Sequence, residues 1–483
     1  MSNKKTIDGL HKGVALILLS ALCFQAQAQG PNNQGQPRQL GGSGLGGYTE
    51  PTEAGKVPEH LYNVVLGRPT QDSIVASVLF HEDTSAYLAY GTEPGQYPSK
   101  TDMVQLSSGQ PHDFMLQGLD ANTQYYYQLK YSMPGASEQV SDQYRFHTPR
   151  SAGSDFVFTV QSDSHLDENT RGPIYLNALA NALEAEPDFH LALGDTFMTG
   201  KYQPHTASEA QYLAQRYYLG TALTHSAPLF FALGNHDAEA GTRSEEVRTW
   251  ANATRNKYLP NPAPNDFYTG NTELNPAGDP VRNYYSFEWG NSLFVALDPF
   301  RYNGARGDDG NWYMSLGKDQ YDWLAETLSE SEASFKFVYL HNLIGGAASN
   351  RGGSEASWLF EWGGYNFDGD YEFDEKRPGW DQPIHDLLVE NGVSIVFHGH
   401  DHMYIQQERD GIVYQLVPQP GHPSGNINSA EPYGYLSGNI VAGSGSLRVS
   451  VEDDKALVEF IDSRDGGRSG DLLHSYRVEP STN

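Results

Sequence analysis

Five short segments of the chain carry side chains that can bind metal ions. They combine aspartate, asparagine and histidine, and each one follows an apolar run typical of a buried strand. The segments are Asp163-Ser164-His165, Gly194-Asp195, Gly234-Asn235-His236-Asp237, His341 and Gly399-His400-Asp401-His402. Carboxylate oxygen, amide oxygen and imidazole nitrogen are ligands of hard and borderline metal ions, and no thiolate is present. The pattern therefore predicts a metal centre built from N and O ligands.

Such a centre is suited to the hydrolysis of phosphate esters. Two ions about 3.5 to 4 Å apart can polarise a phosphoryl oxygen, hold a hydroxide for in-line attack and stabilise the leaving oxygen. One carboxylate can bridge both ions, and Asp195 is the candidate for that position. No covalent intermediate is required.

The elements that would position these ligands are strands that end at the five segments. The apolar runs predict strands at 156–160, 189–193, 229–233, 335–340 and 393–397. Helical patterns alternate with them at 174–186, 209–223, 319–329 and 384–391. The alternation predicts an α/β core whose ligands lie beyond the carboxyl ends of the strands.

The order of the five segments resembles the signature of the calcineurin-like metallophosphoesterase superfamily. The motifs run from Asp163 to His402 and so cover about half of the chain. The resemblance implies a four-layer α/β/β/α sandwich, in which two sheets pack between helices. We expect the strand-like runs at 411–417, 447–451 and 457–462 to complete the second sheet.

The resemblance also implies a role for each ligand residue. The first metal ion would be held by Asp163, His165, Asp195 and His402. The second would be held by Asp195, Asn235, His341 and His400. The catalytic residues would be Asp195 and His236. His236 would protonate the departing oxygen or bind the phosphate. The predicted substrate-binding residues are Asn235, His236 and Arg351.

Within the superfamily the chain is similar to the purple acid phosphatase branch. The shared features are Val338-x-x-His341 and a β domain ahead of the catalytic domain. The iron-binding tyrosine of that branch is replaced by Met198, and a thioether cannot replace a phenolate on ferric iron. His165 would supply a metal ligand in place of the missing tyrosine. We therefore expect a colourless enzyme with two divalent or mixed-valence transition-metal ions, with zinc, manganese and iron all open.

The domain organisation follows from changes in composition. We predict a signal peptide at 1–28, a flexible Gly/Gln/Pro-rich linker at 29–55, a β-sandwich domain at 56–149 and the metallophosphoesterase domain at 150–483. The segment from Leu119 to Tyr127 resembles the tyrosine corner of fibronectin type III domains. This domain could bind glycans or a partner, but a scaffold packed beside the catalytic domain is the favoured interpretation.

The first residues predict export. Three lysines precede the apolar run at 14–24, and Ala26-Gln27-Ala28 fits a signal peptidase site. The run is too short for a membrane span, so we expect a secreted or periplasmic protein without one after cleavage. Cleavage after Ala28 would remove Cys23, the only cysteine, which excludes a cysteine nucleophile and a zinc-thiolate site.

Charge limits the possible partners. The chain has 31 basic and 60 acidic residues and a formal net charge of −29, which disfavours binding to nucleic acid. We expect a small phosphate ester as substrate, drawn in by the metals and by a few basic side chains. Arg301, Arg306 and Arg351 are candidates for binding phosphate oxygens.

Two long segments, 249–285 and 342–380, are predicted to be loops that shape substrate choice or pack on their own domain. The acidic stretch at 368–375 is interpreted as a solvated loop, with calcium binding open. Phosphomonoester hydrolysis is slightly favoured, and phosphodiester hydrolysis on the same metals is the first alternative. The second is a non-catalytic surface protein in which the metals only stabilise the fold.

Overall fold

The computed structural model describes residues 54–166, 169–202, 205–347 and 350–481. The predicted signal peptide and nearly all of the linker lie outside the described residues. Within these ranges, no helix is long and apolar enough to cross a membrane.

The first part of the described chain consists of two antiparallel sheets that share one apolar core. Its strands are β1 Tyr62–Gly67, β2 Ser73–Phe80, β3 Thr84–Gly91, β4 Ser99–Lys100, β5 Val104–Leu106, β6 His112–Gln117, β7 Gln124–Ser132, β8 Gln139–Val140 and β9 Tyr144–His147. One sheet has the order β1-β2-β6, and the other is built around β3 and β7. Asp120 N–H donates to the Tyr125 hydroxyl at 2.9 Å, a contact typical of a tyrosine corner. A fibronectin type III relationship and the domain boundaries stay predictions.

The second part contains two larger sheets. Their strands are β10 Phe156–Gln161, β11 Phe189–Ala192, β12 Leu229–Phe231, β13 Thr269–Gly270, β14 Tyr285–Trp289, β15 Ser292–Ala296, β16 Phe335–Tyr339, β17 Ile395–His398, β18 Tyr404–Arg409, β19 Ile412–Leu416, β20 Asn439–Val441, β21 Gly445–Glu452, β22 Lys455–Asp462 and β23 Leu472–Val478. The first sheet has the order β12-β11-β10-β21-β22-β23. The second has the order β13-β14-β15-β16-β17-β19-β18-β20.

Helices cover the outer face of each large sheet. They are α1 Gly172–Glu184, α2 His205–Ala222, α3 Glu245–Tyr258, α4 Lys318–Glu330, α5 Phe360–Gly363, α6 Phe373–Lys376 and α7 Ile384–Glu390. α1 and α2 pack on the first sheet, whereas α4 and α7 pack on the second. The core between the sheets is rich in aromatic side chains; Phe158, for example, stacks on Phe189 at 5.4 Å between ring centroids. The architecture is therefore the predicted α/β/β/α sandwich.

The five strands that end at the candidate ligands are divided between the two sheets. β10, β11 and β12 are parallel neighbours in the first sheet, while β16 and β17 are parallel neighbours in the second. Because the carboxyl ends of all five strands meet at one edge of the sandwich, the ligand-bearing loops converge there.

Two expectations about the architecture were wrong. β19 does belong to the second sheet, but β21 and β22 extend the first, where β21 pairs antiparallel with β10. Alternation of apolar residues shows that a strand has a buried face, but it does not show which neighbouring strand, and so which sheet, the strand pairs with. Neither of the two long segments is a continuous loop, because α3 occupies the first ten residues of 249–285, and the short helices α5 and α6 lie within 342–380. α3 begins after Ser244, whose hydroxyl accepts from Val247 N–H at 3.4 Å.

The β-sandwich region is joined to the second part of the chain through a fully buried arginine on α2. The Arg216 guanidinium donates to Asn63 Oδ1 at 2.7 Å and to the Ser77 carbonyl at 2.6 Å, both in the β-sandwich. It also donates to the Tyr258 carbonyl at the end of α3. Burial lowers the pKa of Arg216 to about 10, so the side chain stays charged at neutral pH. This contact favours the scaffold interpretation of the β domain.

Candidate metal centre

The structure brings all seven predicted metal ligands together, in two adjacent groups. Asp163, His165 and His402 form one group, and Asp195, His341 and His400 form the other. In each group the potential ligand atoms lie within 4.8 Å of one another. Asn235 Oδ1 lies 3.1 Å from His341 Nε2 and so joins the second group.

In the first group, Asp163 is held so that one oxygen faces the imidazoles. Its Oδ2 accepts hydrogen bonds from the Ser162 hydroxyl at 2.6 Å and from His400 N–H at 2.9 Å. Its Oδ1 lies 3.2 Å from His402 Nε2 and 3.6 Å from His165 Nε2. Burial alone would raise the pKa of Asp163, but the imidazoles of His402 and His341 hold it well below its ordinary value. This carboxylate is therefore a permanent anion directed at nitrogen ligands.

The second group provides a direct test of whether a metal ion fits. His341 Nδ1 lies 2.8 Å from the Leu193 carbonyl, to which it donates, so the neutral imidazole directs the Nε2 lone pair the other way. That nitrogen lies 3.3 Å from Asp195 Oδ2 and 3.3 Å from His400 Nδ1. Lone pairs that converge in this way repel unless a cation or a proton lies between them. Without metal a proton takes this place: burial lowers the pKa of His341, but Asp195 and Asp163 outweigh it and raise the pKa to about 9.

Asp195 stands between the two groups. Its Oδ2 is 3.5 Å from His165 Nε2 in the first group and 3.3 Å from His341 Nε2 in the second. Its Oδ1 accepts a hydrogen bond from His236 N–H at 2.8 Å, which fixes the carboxylate plane. One oxygen therefore faces both groups, as a bridging ligand requires.

The backbone at the ligands is strained. Asp163, His165, Asp195, His400 and His402 all have positive φ angles, between 32° and 76°. Non-glycine residues in the left-handed region cost about 1 to 2 kcal/mol each and are concentrated at functional sites. The strain arises because each chain segment turns sharply at the end of its strand, which directs the side chain across the sheet edge.

Close approach of the loops explains the glycines of the motifs. A Cβ atom on Gly234 would collide with the backbone nitrogen and carboxylate of Asp195. A Cβ atom on Gly399 would collide with the Ser162 hydroxyl. At both positions a side chain would push two ligand-bearing loops apart.

Asp237 fixes the position of two of these loops. Its fully buried carboxylate accepts hydrogen bonds from the N–H groups of Asp195, Thr196, Phe197 and Gly234 at 2.7 to 3.1 Å. Burial and the nearby Asp195 charge raise the pKa of Asp237 to about 7. The sequence motif contains Asp237, but the sequence alone did not indicate this positioning role.

His236 lies beside the ligand groups without belonging to either. Its Nε2 is 3.9 Å from Asp195 Oδ2, and 30% of the side chain is exposed to the cleft. Burial lowers the pKa of His236 to about 4, and Asp195 opposes the shift only in part. The imidazole is therefore neutral at pH 7. This state favours a role as a hydrogen-bond donor to substrate over a role as an acid that is already protonated.

The arginines that the sequence suggested as phosphate ligands have other contacts. Arg351 pairs with Asp401, and its guanidinium lies over the Tyr433 ring at 4.1 Å, although 26% of its side chain remains exposed at the edge of the centre. Arg301 pairs with Glu273 at 2.5 Å. Arg306 is exposed and forms no ion pair within the described ranges.

Aromatic side chains of the two long segments mostly pack on the protein itself. Tyr268 is buried and donates to the Pro69 carbonyl. Trp362 is fully buried and donates to the Tyr414 hydroxyl at 3.0 Å. Lys201 and Arg243 belong to none of the sequence motifs, yet they lie on the wall that carries His236. Their proximity depends on how the loops fold, and no sequence pattern signals it.

The four-layer fold, with two ligand groups at one edge of its sheets, defines a metallophosphoesterase. The chain belongs to the calcineurin-like phosphoesterase family, whose model matches residues 156–404. This confirms the family resemblance of the five motifs.

A similar curated protein is purple acid phosphatase 15 of Arabidopsis thaliana, 24% identical over 392 residues, or 77% of this chain. The chain spans only 62% of the length of that plant protein. The solved structure of a purple acid phosphatase, PPD1, from yellow lupin (Lupinus luteus) has a TM-score of 0.58 and 14% identity, covering 87% of this chain and 74% of that one. The structure of PhoD has a TM-score of 0.62 and 15% identity, covering 90% and 92%. These structural similarities show the shared fold.

Proposed function

We propose that this protein is a dinuclear-metal phosphoric ester hydrolase that acts on phosphomonoesters. The observation that carries the proposal is the position of Asp195, whose Oδ2 faces both ligand groups while the uncoordinated His236 lies 3.9 Å away. A metal site that only stabilised the fold would not require an uncoordinated imidazole beside it. The names of the similar purple acid phosphatases support a monoester substrate.

Asp163, His165, Asp195 and His402 would hold one metal ion, and Asp195, Asn235, His341 and His400 the other. When bound, the ions would act as Lewis acids on the phosphoryl group and would supply the hydroxide nucleophile. The residues of the chain orient the ester: His236 would donate a hydrogen bond to the leaving oxygen, and Asn235 would contribute to phosphate binding. Arg351, which lies at the edge of the metal centre, would be a further contact of the phosphate, in addition to His236 and Asn235.

Elemental analysis of the purified protein tests the metal count directly. About two transition-metal ions per chain, drawn from zinc, manganese or iron, are expected. Parallel assays on an aryl monophosphate and a bis-aryl phosphate test the substrate class, with faster hydrolysis of the monoester expected. Preferential hydrolysis of the bis-aryl ester would favour a phosphodiesterase on the same centre.

His236→Ala is expected to lower kcat by about a hundredfold, because a positioned donor at the leaving oxygen contributes on this scale. The loss should be larger for an alkyl phosphate than for an aryl phosphate, since the poorer leaving group depends more on the donor. Steady-state kinetics on both esters, with metal analysis, measure the effect. His474→Ala, which removes an imidazole from β23, is the control. Full activity of His236→Ala with both esters would contradict the assigned role.

Export is also part of the proposal, and the support for it is the lysine-flanked apolar run followed by Ala26-Gln27-Ala28. Expression of the full chain in a bacterium should give a periplasmic or secreted protein whose first residue is Gln29. Intact mass and amino-terminal sequencing measure this. Recovery of the uncleaved chain from the cytoplasm would contradict export.

A further inference from the structure

Two cationic side chains lie on the wall that carries His236. Gly200 N–H donates to the His236 carbonyl at 2.8 Å, which ties the turn Thr199–Lys201 to the catalytic loop. The Arg243 guanidinium packs on Gly200, with one terminal nitrogen 2.8 Å from the point that a Cβ atom would occupy. Arg243 therefore packs on the turn that contains Lys201, next to the backbone carbonyl of His236.

The environment of Arg243 differs from that of other arginines near the centre. Arg351 is neutralised by Asp401, and Arg301 is neutralised by Glu273. The Arg243 guanidinium makes no ion pair or side-chain hydrogen bond with any part of the chain that the structure describes. In a chain with 60 acidic residues, an unpaired guanidinium packed on the turn that binds the His236 carbonyl is available to an external anion.

Lys201 adds a second positive charge at the same place. Lys201 directly follows Gly200 in the turn that hydrogen-bonds to the His236 backbone carbonyl. Lys201 and Arg243 are both partly exposed. Glu245 and Glu246, which follow in the first turn of α3, are exposed and do not pair with Arg243.

We propose that Lys201 and Arg243 form an anion subsite, which binds a second negatively charged group of the substrate ester. The inference rests on the proposed phosphatase function and narrows its substrate class. The favoured substrates are organic phosphates that carry another phosphate or a carboxylate a few bonds from the ester oxygen. The guanidinium would bind two oxygens of that group, and the ammonium would add a point charge.

Competition between two matched substrates tests the subsite. Propyl phosphate and propane-1,3-diol bisphosphate differ only in the second phosphate. The selectivity, defined as kcat/KM for the bisphosphate divided by kcat/KM for propyl phosphate, should fall about tenfold in Arg243→Gln and about tenfold in Lys201→Gln, mainly through KM. The double variant should lose more. Arg248→Gln, which removes a neighbouring arginine on α3, should keep the wild-type selectivity.

An unchanged selectivity in the double variant would overturn the subsite while leaving the phosphatase proposal intact. If the wild-type protein hydrolyses neither compound, the phosphatase proposal fails instead. The subsite is then decided by calorimetric titration of the metal-loaded protein with the bisphosphate. About tenfold weaker binding to the double variant than to the wild type supports the subsite, and equal binding overturns it.

Discussion

Replacing Asp195 with asparagine is expected to lower kcat/KM at least about a thousandfold and to reduce the bound metal from two ions to one or none. The carboxylate oxygen that faces both ligand groups becomes an amide nitrogen, which cannot bridge two cations. The bridged ions are expected to supply several kcal/mol of transition-state stabilisation, and about 4 kcal/mol corresponds to a thousandfold in rate. Hydrolysis of an aryl phosphate and elemental analysis of the same sample measure both effects.

The asparagine variant should still fold. Its Oδ1 can keep the hydrogen bond from His236 N–H, which is 2.8 Å long in the native protein. Asp188→Asn is the matched control, because Asp188 lies just before β11 and binds Arg150 and Trp289 instead of the ligand groups. It should lose some stability and keep its metal. If the Asp195→Asn variant instead unfolds when it loses its metal, the result would support the alternative in which the metal ions only stabilise the fold.

Replacing Arg216 with methionine is expected to lower the free energy of unfolding by about 3 to 5 kcal/mol. Methionine fills part of the space, but it leaves Asn63 Oδ1 and the carbonyls of Ser77 and Tyr258 buried without their donor. Removing one partner of a buried charged network costs this much, because the remaining polar groups have lost both water and their hydrogen bonds. Urea denaturation followed by circular dichroism measures the change.

Arg448→Met provides the control for this experiment. Arg448 pairs with Glu459 at 2.7 Å between neighbouring strands, but 38% of its side chain is exposed. An exposed pair of this kind contributes about 0 to 1 kcal/mol. A loss of less than 1 kcal/mol in Arg216→Met as well would show that the buried arginine does not hold the β-sandwich region to the catalytic part.

The five strands at the ligands and the helices α1, α2, α4 and α7 could be predicted from the sequence to within a few residues. Each strand is a short apolar run that ends abruptly in ligand residues, and this contrast is local. α3 was missed because its apolar residues are few, so the cap at Ser244 and the acids of its first turn were its main signals. The assignment of β21 and β22 to the first sheet also required the structure, since strand pairing depends on edges that are distant in sequence.

The sequence by itself determined which side chains could form a metal centre, because their types and order along the chain are sufficient for the family motif. Only the tertiary structure decided their surroundings. It placed Asp195 Oδ2 between the two groups, directed four backbone N–H groups at Asp237 and paired Arg351 with Asp401. It also left Arg243 beside His236. These relations join residues from different loops, so they are fixed by packing at the sheet edge and have no signature in the local sequence.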